Sequence, residues 1–167
     1  ARNCGINAFT LTGGEPMLHK YFFDIVEGIY ARGMYVEELN TNGHYIDQRA
    51  LDRLKAIGCM PLIKISFDGI GCHDWMRDHK GAEQDALRAA ALCIENGFRV
   101  KVQTNMNRRN RDSMLKTAER LDGMGVAEMR IIRTTEAPRW VQNAGDACLT
   151  FEEYYDEALL LWEKYAQ

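Results

Sequence analysis

The sequence predicts an α/β chain built on a parallel sheet. Three observations carry this. Apolar, strand-like runs alternate with longer amphipathic segments along the chain. The helix-like segments end in Gly, at Gly33, Gly58, Gly97 and Gly125, and a strand-like run follows each within a few residues. Glycine at a helix end takes up the left-handed turn that releases the chain into a strand. The steps between these glycines are 25, 39 and 28 residues, the rhythm of βα units. Parallel strands need a crossover, and a helix supplies it. A barrel, a partial barrel and a doubly wound sheet all fit this periodicity.

The elements follow in order. The opening Ala-Arg-Asn-Cys-Gly-Ile has the form of the other helix ends, with Gly5 as the stop. The chain is therefore expected to begin inside the last turn of a helix, with a βα unit before residue 1. Strands are expected over 7–12, 35–41, 62–67, 100–105 and 128–133. Helices are expected over 20–32, 47–57, 83–95 and 111–122. Phe22, Val26, Ile29 and Tyr30 fall on one face of the first helix, and Leu87, Ala90, Ala91 and Ile94 on one face of the third. The run 143–146 (Asn-Ala-Gly-Asp) reads as a loop. Thr150 and Glu153 then form a capping box for a last helix that presents Tyr155, Leu159, Trp162 and Ala166 as a stripe. The expected division is a core over 1–139, with 140–167 as a linker and a C-terminal helix packing on it.

Composition narrows the class. The chain is 46% hydrophobic and 27% charged, which fits a globular domain. Asp and Glu number 24 against 21 Lys and Arg, a net charge of −3. That balance gives no whole-chain drive toward nucleic acid or an anionic membrane. No apolar run approaches the roughly 18 residues of a membrane helix, and no signal segment opens the chain. The cysteines at 4, 59, 72, 93 and 148 are odd in number and contain no CxxC pair. They read as free thiols in a reducing cytosol, buried as small apolar groups.

In parallel α/β proteins the chemistry sits at the carboxyl ends of the strands. Here those ends read Thr12-Gly13-Gly14-Glu15-Pro16, Asn40-Thr41-Asn42-Gly43, Ser66-Phe67-Asp68-Gly69 and Gln103-Thr104-Asn105. Each alone is ordinary helix-start or turn chemistry. Together on one rim they predict a pocket. Gly13 and Gly14 let backbone approach a ligand closely. Strand-end carbonyls accept hydrogen bonds from an ammonium group, with charge-assisted help from Glu15. Ser66, Asn42 and Asn105 suit a ribose or a carboxylate. Neither GxxxxGK[ST] nor GxGxxG occurs, so the rim is not a phosphate cradle.

These motifs, in this order, resemble the radical S-adenosylmethionine (SAM) enzymes. Thr10-Leu11-Thr12-Gly13-Gly14-Glu15-Pro16-Met17-Leu18 resembles that family's GGEP element. Asn40-Thr41-Asn42-Gly43 resembles its second marker and Ile65-Ser66-Phe67-Asp68-Gly69 its third. His73-Asp74-Trp75-Met76-Arg77 resembles a stretch common in the peptide-modifying, SPASM-like branch. The resemblance implies a partial (βα)6 TIM-like barrel, here truncated at the N-terminus with its first βα unit missing. It implies that Gly13, Gly14 and Glu15 hold the SAM amino group and that Ser66 meets the ribose or the methionyl carboxylate. Arg77 or Arg88 would pair with that carboxylate, and Ile131 and Ile132 would lie near the adenine. Pro16, Asn42, Asp68 and Asn105 complete the implied site. The implied reaction is reductive cleavage of SAM to a 5′-deoxyadenosyl radical, which then abstracts hydrogen from a substrate, a peptide among the candidates.

The family's CxxxCxxC loop, which binds a [4Fe-4S] cluster, has no counterpart here. Twelve residues precede Gly13 and hold one cysteine, Cys4. The cluster cysteines are expected upstream of residue 1, so this chain would hold most of the SAM pocket and no metal ligands. A SAM- or nucleotide-binding module without a cluster is the competing class. A third is a metal-dependent barrel hydrolase using His73, His79, Asp68 and Asp74, although no HExxH or HxH spacing supports it. Residues 99–139 hold ten Lys or Arg against five acids. Aromatics are not interleaved with them, so a solvated face is expected rather than a nucleic-acid surface. No membrane partner is expected.

Overall fold

The computed structural model describes residues 2–137, 142 and 144–165. In chain order its elements are β1 (Ala8–Leu11), α1 (Phe22–Tyr30), β2 (Tyr35–Thr41), α2 (Gln48–Ile57), β3 (Leu62–Ser66), α3 (His73–Arg77), α4 (Ala82–Glu95), β4 (Val100–Met106), α5 (Met114–Gly123), β5 (Glu128–Arg133) and α6 (Phe151–Tyr165). Every expected strand and helix is present. Single 3-10 turns occupy Arg2–Cys4, Pro16–Leu18 and Arg111–Ser113. The first is followed by Gly5 at φ 77°. Periodicity does not reveal α3, because five residues are too short to show a 3.6-residue repeat.

The five strands form one parallel sheet in the order β1-β2-β3-β4-β5. Strands consecutive in sequence are consecutive in space, so the winding never reverses. A doubly wound sheet requires such a reversal, and the sheet is instead the wall of a partial barrel.

Its two faces differ chemically. Leu39, Ile63, Ile65, Val100 and Val102 point to one side and are buried under Phe22, Val26, Leu51, Leu54, Ala89 and Cys93 of the helices. Burying each large aliphatic side chain contributes about 1.5–3 kcal/mol. The alternate positions Glu38, Asn40, Lys64, Ser66, Lys101, Gln103 and Asn105 are half-buried on the other side. They carry their own ion pairs, Lys64–Glu38 at 2.9 Å and Lys101–Glu128 at 2.6 Å. Buried parallel strands usually read as continuous apolar runs. Alternation here marks a face that no described helix covers.

Local signals explain the helix ends. Asp47 caps α2 by accepting from the Ala50 N–H at 2.8 Å, and Gly58 stops it in the left-handed region. The capping box of α6 forms: the Thr150 N–H donates to Glu153 at 2.7 Å, and the Glu153 N–H donates to Thr150 Oγ1 at 3.2 Å.

Two expected faces are rotated. On α4 the buried residues are Ala86, Ala89, Ala90 and Cys93, one position off the expected stripe. The small side chains are the ones that let the helix approach the sheet and the Gly43 loop. On α6, Tyr155, Leu159 and Trp162 are exposed, and Leu161 with Tyr154 packs instead against Met106, Met114 and Ala118. The helix is apolar on more than one face, so the sequence left its inward face open. Ala166 of the stripe, Asn143 of the loop, and both the end of the expected core at Arg139 and the linker start at Trp140 lie outside the described residues. No described helix is long and apolar enough to cross a membrane.

Candidate functional site

All strands run parallel, so their carboxyl ends share one rim, and the rim surrounds a cavity of about 550 Å³. That size suits a small-molecule ligand. Of the expected site residues, Gly13, Gly14, Asn42, Ser66 and Arg77 line it.

Glu15 does not face this cavity. Its carboxylate accepts from Thr41 Oγ1 at 3.0 Å, from the Asn42 N–H at 2.8 Å and from the Met17 N–H at 3.1 Å. It therefore ties the end of β1 to the end of β2 and holds the Gly13-Gly14 turn against the rim. Pro16 starts the 3-10 turn that Glu15 caps.

Asp68 is fully buried behind the rim. Its carboxylate lies 2.8 Å from an Arg77 nitrogen and 3.1 Å from His73 Nδ1. It also accepts from the Asn105 N–H at 2.9 Å and Nδ2 at 3.2 Å. Burial alone would raise its pKa. The His73 hydrogen bond, the Arg77 charge and the Asn105 N–H outweigh burial and hold the carboxyl below its ordinary value. Asp68 and Asn105 thus stand behind Arg77, whose guanidinium reaches the cavity.

The two arginines are separated. Arg88 does not line the cavity; it donates to the Ile46 carbonyl at 2.7 Å and braces the loop after β2. Ile132 sits on β5 beside Asn105 and is also outside the cavity lining. Ile131 packs in the second core, and its carbonyl accepts from Tyr154. β5 is the edge strand opposite β1, which carries Gly13 at its end.

Also on the cavity lining are Asn40 and Gln103, which the sequence placed at the rim without a role, His79, which it offered only as a metal ligand, and Lys64, His44 and Tyr45. The strand residues are the polar half of the alternation already described, and that pattern is the signal that finds them. Asn40 Oδ1 is buried with no hydrogen-bond partner.

The four-residue metal set expected from His73, His79, Asp68 and Asp74 does not assemble. His73 is consumed by buried Asp68, and Asp74 caps α4 by accepting from the Gly81 and Glu83 N–H groups at 2.8 Å. Those two N–H groups hold the Asp74 carboxyl below its ordinary value. His79 instead meets His44 and Asp85. Among the described residues no three cysteines come together; Cys4 is exposed, Cys148 half-buried and the other three buried.

Comparison with known proteins fits this architecture. The family model for the radical SAM superfamily matches residues 1–121. A probable GTP 3′,8-cyclase of Saccharolobus islandicus is 30% identical over 158 residues, 93% of this chain and 48% of the relative. The Fe-coproporphyrin III synthase of Methanosarcina barkeri is 32% identical over 107 residues, 64% of this chain and 26% of the relative. The chain spans about half the length, or less, of these curated relatives. Among solved structures, native anSMEcpe with bound AdoMet and Cp18Cys peptide superposes with a TM-score of 0.77 at 17% identity, over 95% of this chain and 46% of that one. A domain of pyruvate-formate lyase-activating enzyme from Bacteroides vulgatus gives 0.70 at 15% identity, over 93% and 92%. With a cofactor-sized polar cavity at the rim of a partial barrel, and with GGEP and its partner motifs on consecutive strand ends, this chain belongs to the radical SAM superfamily.

Proposed function

We propose that this chain is the SAM-binding part of a radical SAM enzyme. Asn40 carries the reading. Its side-chain oxygen is a buried acceptor without a partner, in the same cavity as Gly13 and Gly14. Leaving such a group unmade costs about 1–3 kcal/mol. An ammonium donor, as in the methionyl end of SAM, relieves that cost.

In this reading Asn40 and the backbone at Gly13 and Gly14 receive the amino group, while Glu15 keeps that turn in place. Arg77 pairs with the carboxylate, and Asp68 and Asn105 orient it. Arg88 braces the loop carbonyls and takes no part in binding. Ser66 and Asn42 bond the ribose or the carboxylate. Ile132 and Pro16 act through the strand and turn they shape.

In the superfamily an iron–sulfur cluster supplies the electron that cleaves the SAM carbon–sulfur bond. The described cysteines offer no ligand set for it, so the residues here are assigned binding and orientation only. The substrate is proposed to be a peptide, on the His73-Asp74-x-x-Arg77 stretch and the peptide bound in the anSMEcpe neighbour. The five free cysteines suit a reducing cytoplasm, the location this reading implies.

Isothermal titration of the chain with SAM tests the proposal. Wild type should bind, and Arg77→Ala should lose tenfold or more in affinity, since one charge-assisted bond of about 1.5–3 kcal/mol disappears. No binding by the folded wild type, or equal binding by Arg77→Ala, would overturn it.

A further inference from the structure

We infer that the cavity rim carries a separate site for a zinc-type divalent cation, held by His44, His79 and Asp85. The ligand atoms of these three side chains lie within 4.8 Å of one another. His44 Nδ1 is 2.6 Å from the Asp85 carboxylate, and the two imidazole rings stand nearly perpendicular, 6.2 Å between centroids. Tetrahedral zinc with bonds of about 2.0–2.2 Å needs donor atoms roughly 3.4 Å apart. Rotation of two exposed imidazoles and a small opening of the His44–Asp85 contact reach that spacing.

The three groups come from three segments, and each is anchored. The His44 N–H donates to Asn42 Oδ1 at 2.9 Å, and its ring packs edge-on to Tyr45. The His79 N–H donates to the Asp74 carbonyl at 3.0 Å, and Asp85 sits in the first turn of α4. Two imidazoles and one carboxylate form a set that suits first-row divalent metals. Arg88 lies 3.7 Å from Asp85, with its guanidinium turned to the Ile46 carbonyl.

All three residues also line the cavity. Three protein ligands leave a fourth position open, and here it faces the cavity, where a ligand carboxylate or amine completes it. The ion would clip the loop after β2 to the loop before α4 across the cavity mouth. This inference does not rest on the SAM reading, because the trio needs no bound SAM to form.

The test is titration of the chelator-treated chain with Zn²⁺ by calorimetry and with Co²⁺ by visible absorption. One equivalent should bind. His44→Ala, His79→Ala and Asp85→Asn should each lose at least about 10–100-fold in affinity, the loss that even an outer-shell change causes. His19→Ala, exposed and outside the trio, should bind as wild type does. All three sites are at the surface, so circular dichroism should show unchanged folding. Absence of binding by folded wild type would overturn the inference. So would binding that survives all three substitutions, or a cobalt spectrum with thiolate charge transfer, which would put the ion on the cysteines.

Discussion

The carboxylate of Asp68, sealed from solvent, lies 2.8 Å from the guanidinium of Arg77, which faces the cavity. A buried acid thus aims a cation at the ligand space. Asp68→Asn keeps the shape and removes the charge, leaving Arg77 without its counter-ion. It should destabilise the chain by about 1–3 kcal/mol in urea unfolding and weaken SAM binding as well. Arg77→Lys should also bind SAM poorly, because an ammonium lacks the planar fork that contacts Asp68 and a ligand together. Wild-type affinity in both variants would contradict this arrangement.

Asn40 should behave in the opposite way. Removing a buried, unpartnered acceptor relieves a desolvation cost, so Asn40→Ala should leave the free chain as stable as wild type or slightly more so. Its SAM affinity should fall. Loss of stability together with unchanged affinity would sink the assignment.

Acid should loosen α6 first. The Arg108 hydrogen bond and the Thr150 N–H lower the Glu153 pKa from 4.5 to about 2. A depressed folded value stabilises above the unfolded pKa and is lost as pH falls. The capping contact should therefore weaken progressively from about pH 4.5 down to about pH 2. Protection of the Phe151–Tyr165 amides, taken relative to their intrinsic exchange rates at each pH, should fall across that window, and Arg108→Ala should shift the onset upward.

Gly43, in the loop after β2, is a tighter constraint than the helix-end glycines. It has φ 86°, and an added Cβ would lie 3.0 Å from Ala89 Cβ and 3.3 Å from Ala86 Cα on α4. Neither neighbour can swing away. Gly97 has a similar φ of 81° with open space around it. Gly97→Ala should cost about 1–3 kcal/mol from backbone strain alone, and Gly43→Ala clearly more. Thermal unfolding of the two variants side by side would reveal the difference.

The thiols should report the missing cluster ligands. Burial raises the pKa of Cys59 and Cys72 and takes Cys93 up to about 12. A thiol reagent should label Cys4 promptly, Cys148 more slowly and the other three only on unfolding. Anaerobic reconstitution of this chain with iron and sulfide should give no stoichiometric four-iron absorption. A stable cluster would show that cysteines apart in the fold can still come together.

The sequence by itself determined the alternation of strands and helices, the rim that gathers their ends, and the motifs at that rim. Those signals are local: a glycine turn, an apolar repeat and a capping box act within a few residues. Periodicity could not choose between a partial barrel and a doubly wound sheet, because strand order is a property of long-range pairing; the resemblance of the rim motifs pointed to the partial barrel, and the strand order bears it out. Nor could the sequence tell Arg77 from Arg88, since both lie near the same helices in sequence. Only tertiary packing turned one toward Asp68 and the other toward the Ile46 carbonyl. The same holds for Asn40, whose isolation exists only once three strands stand side by side. His44, His79 and Asp85 are separated by 35 and 6 positions and meet only because the loop after β2 packs against α4.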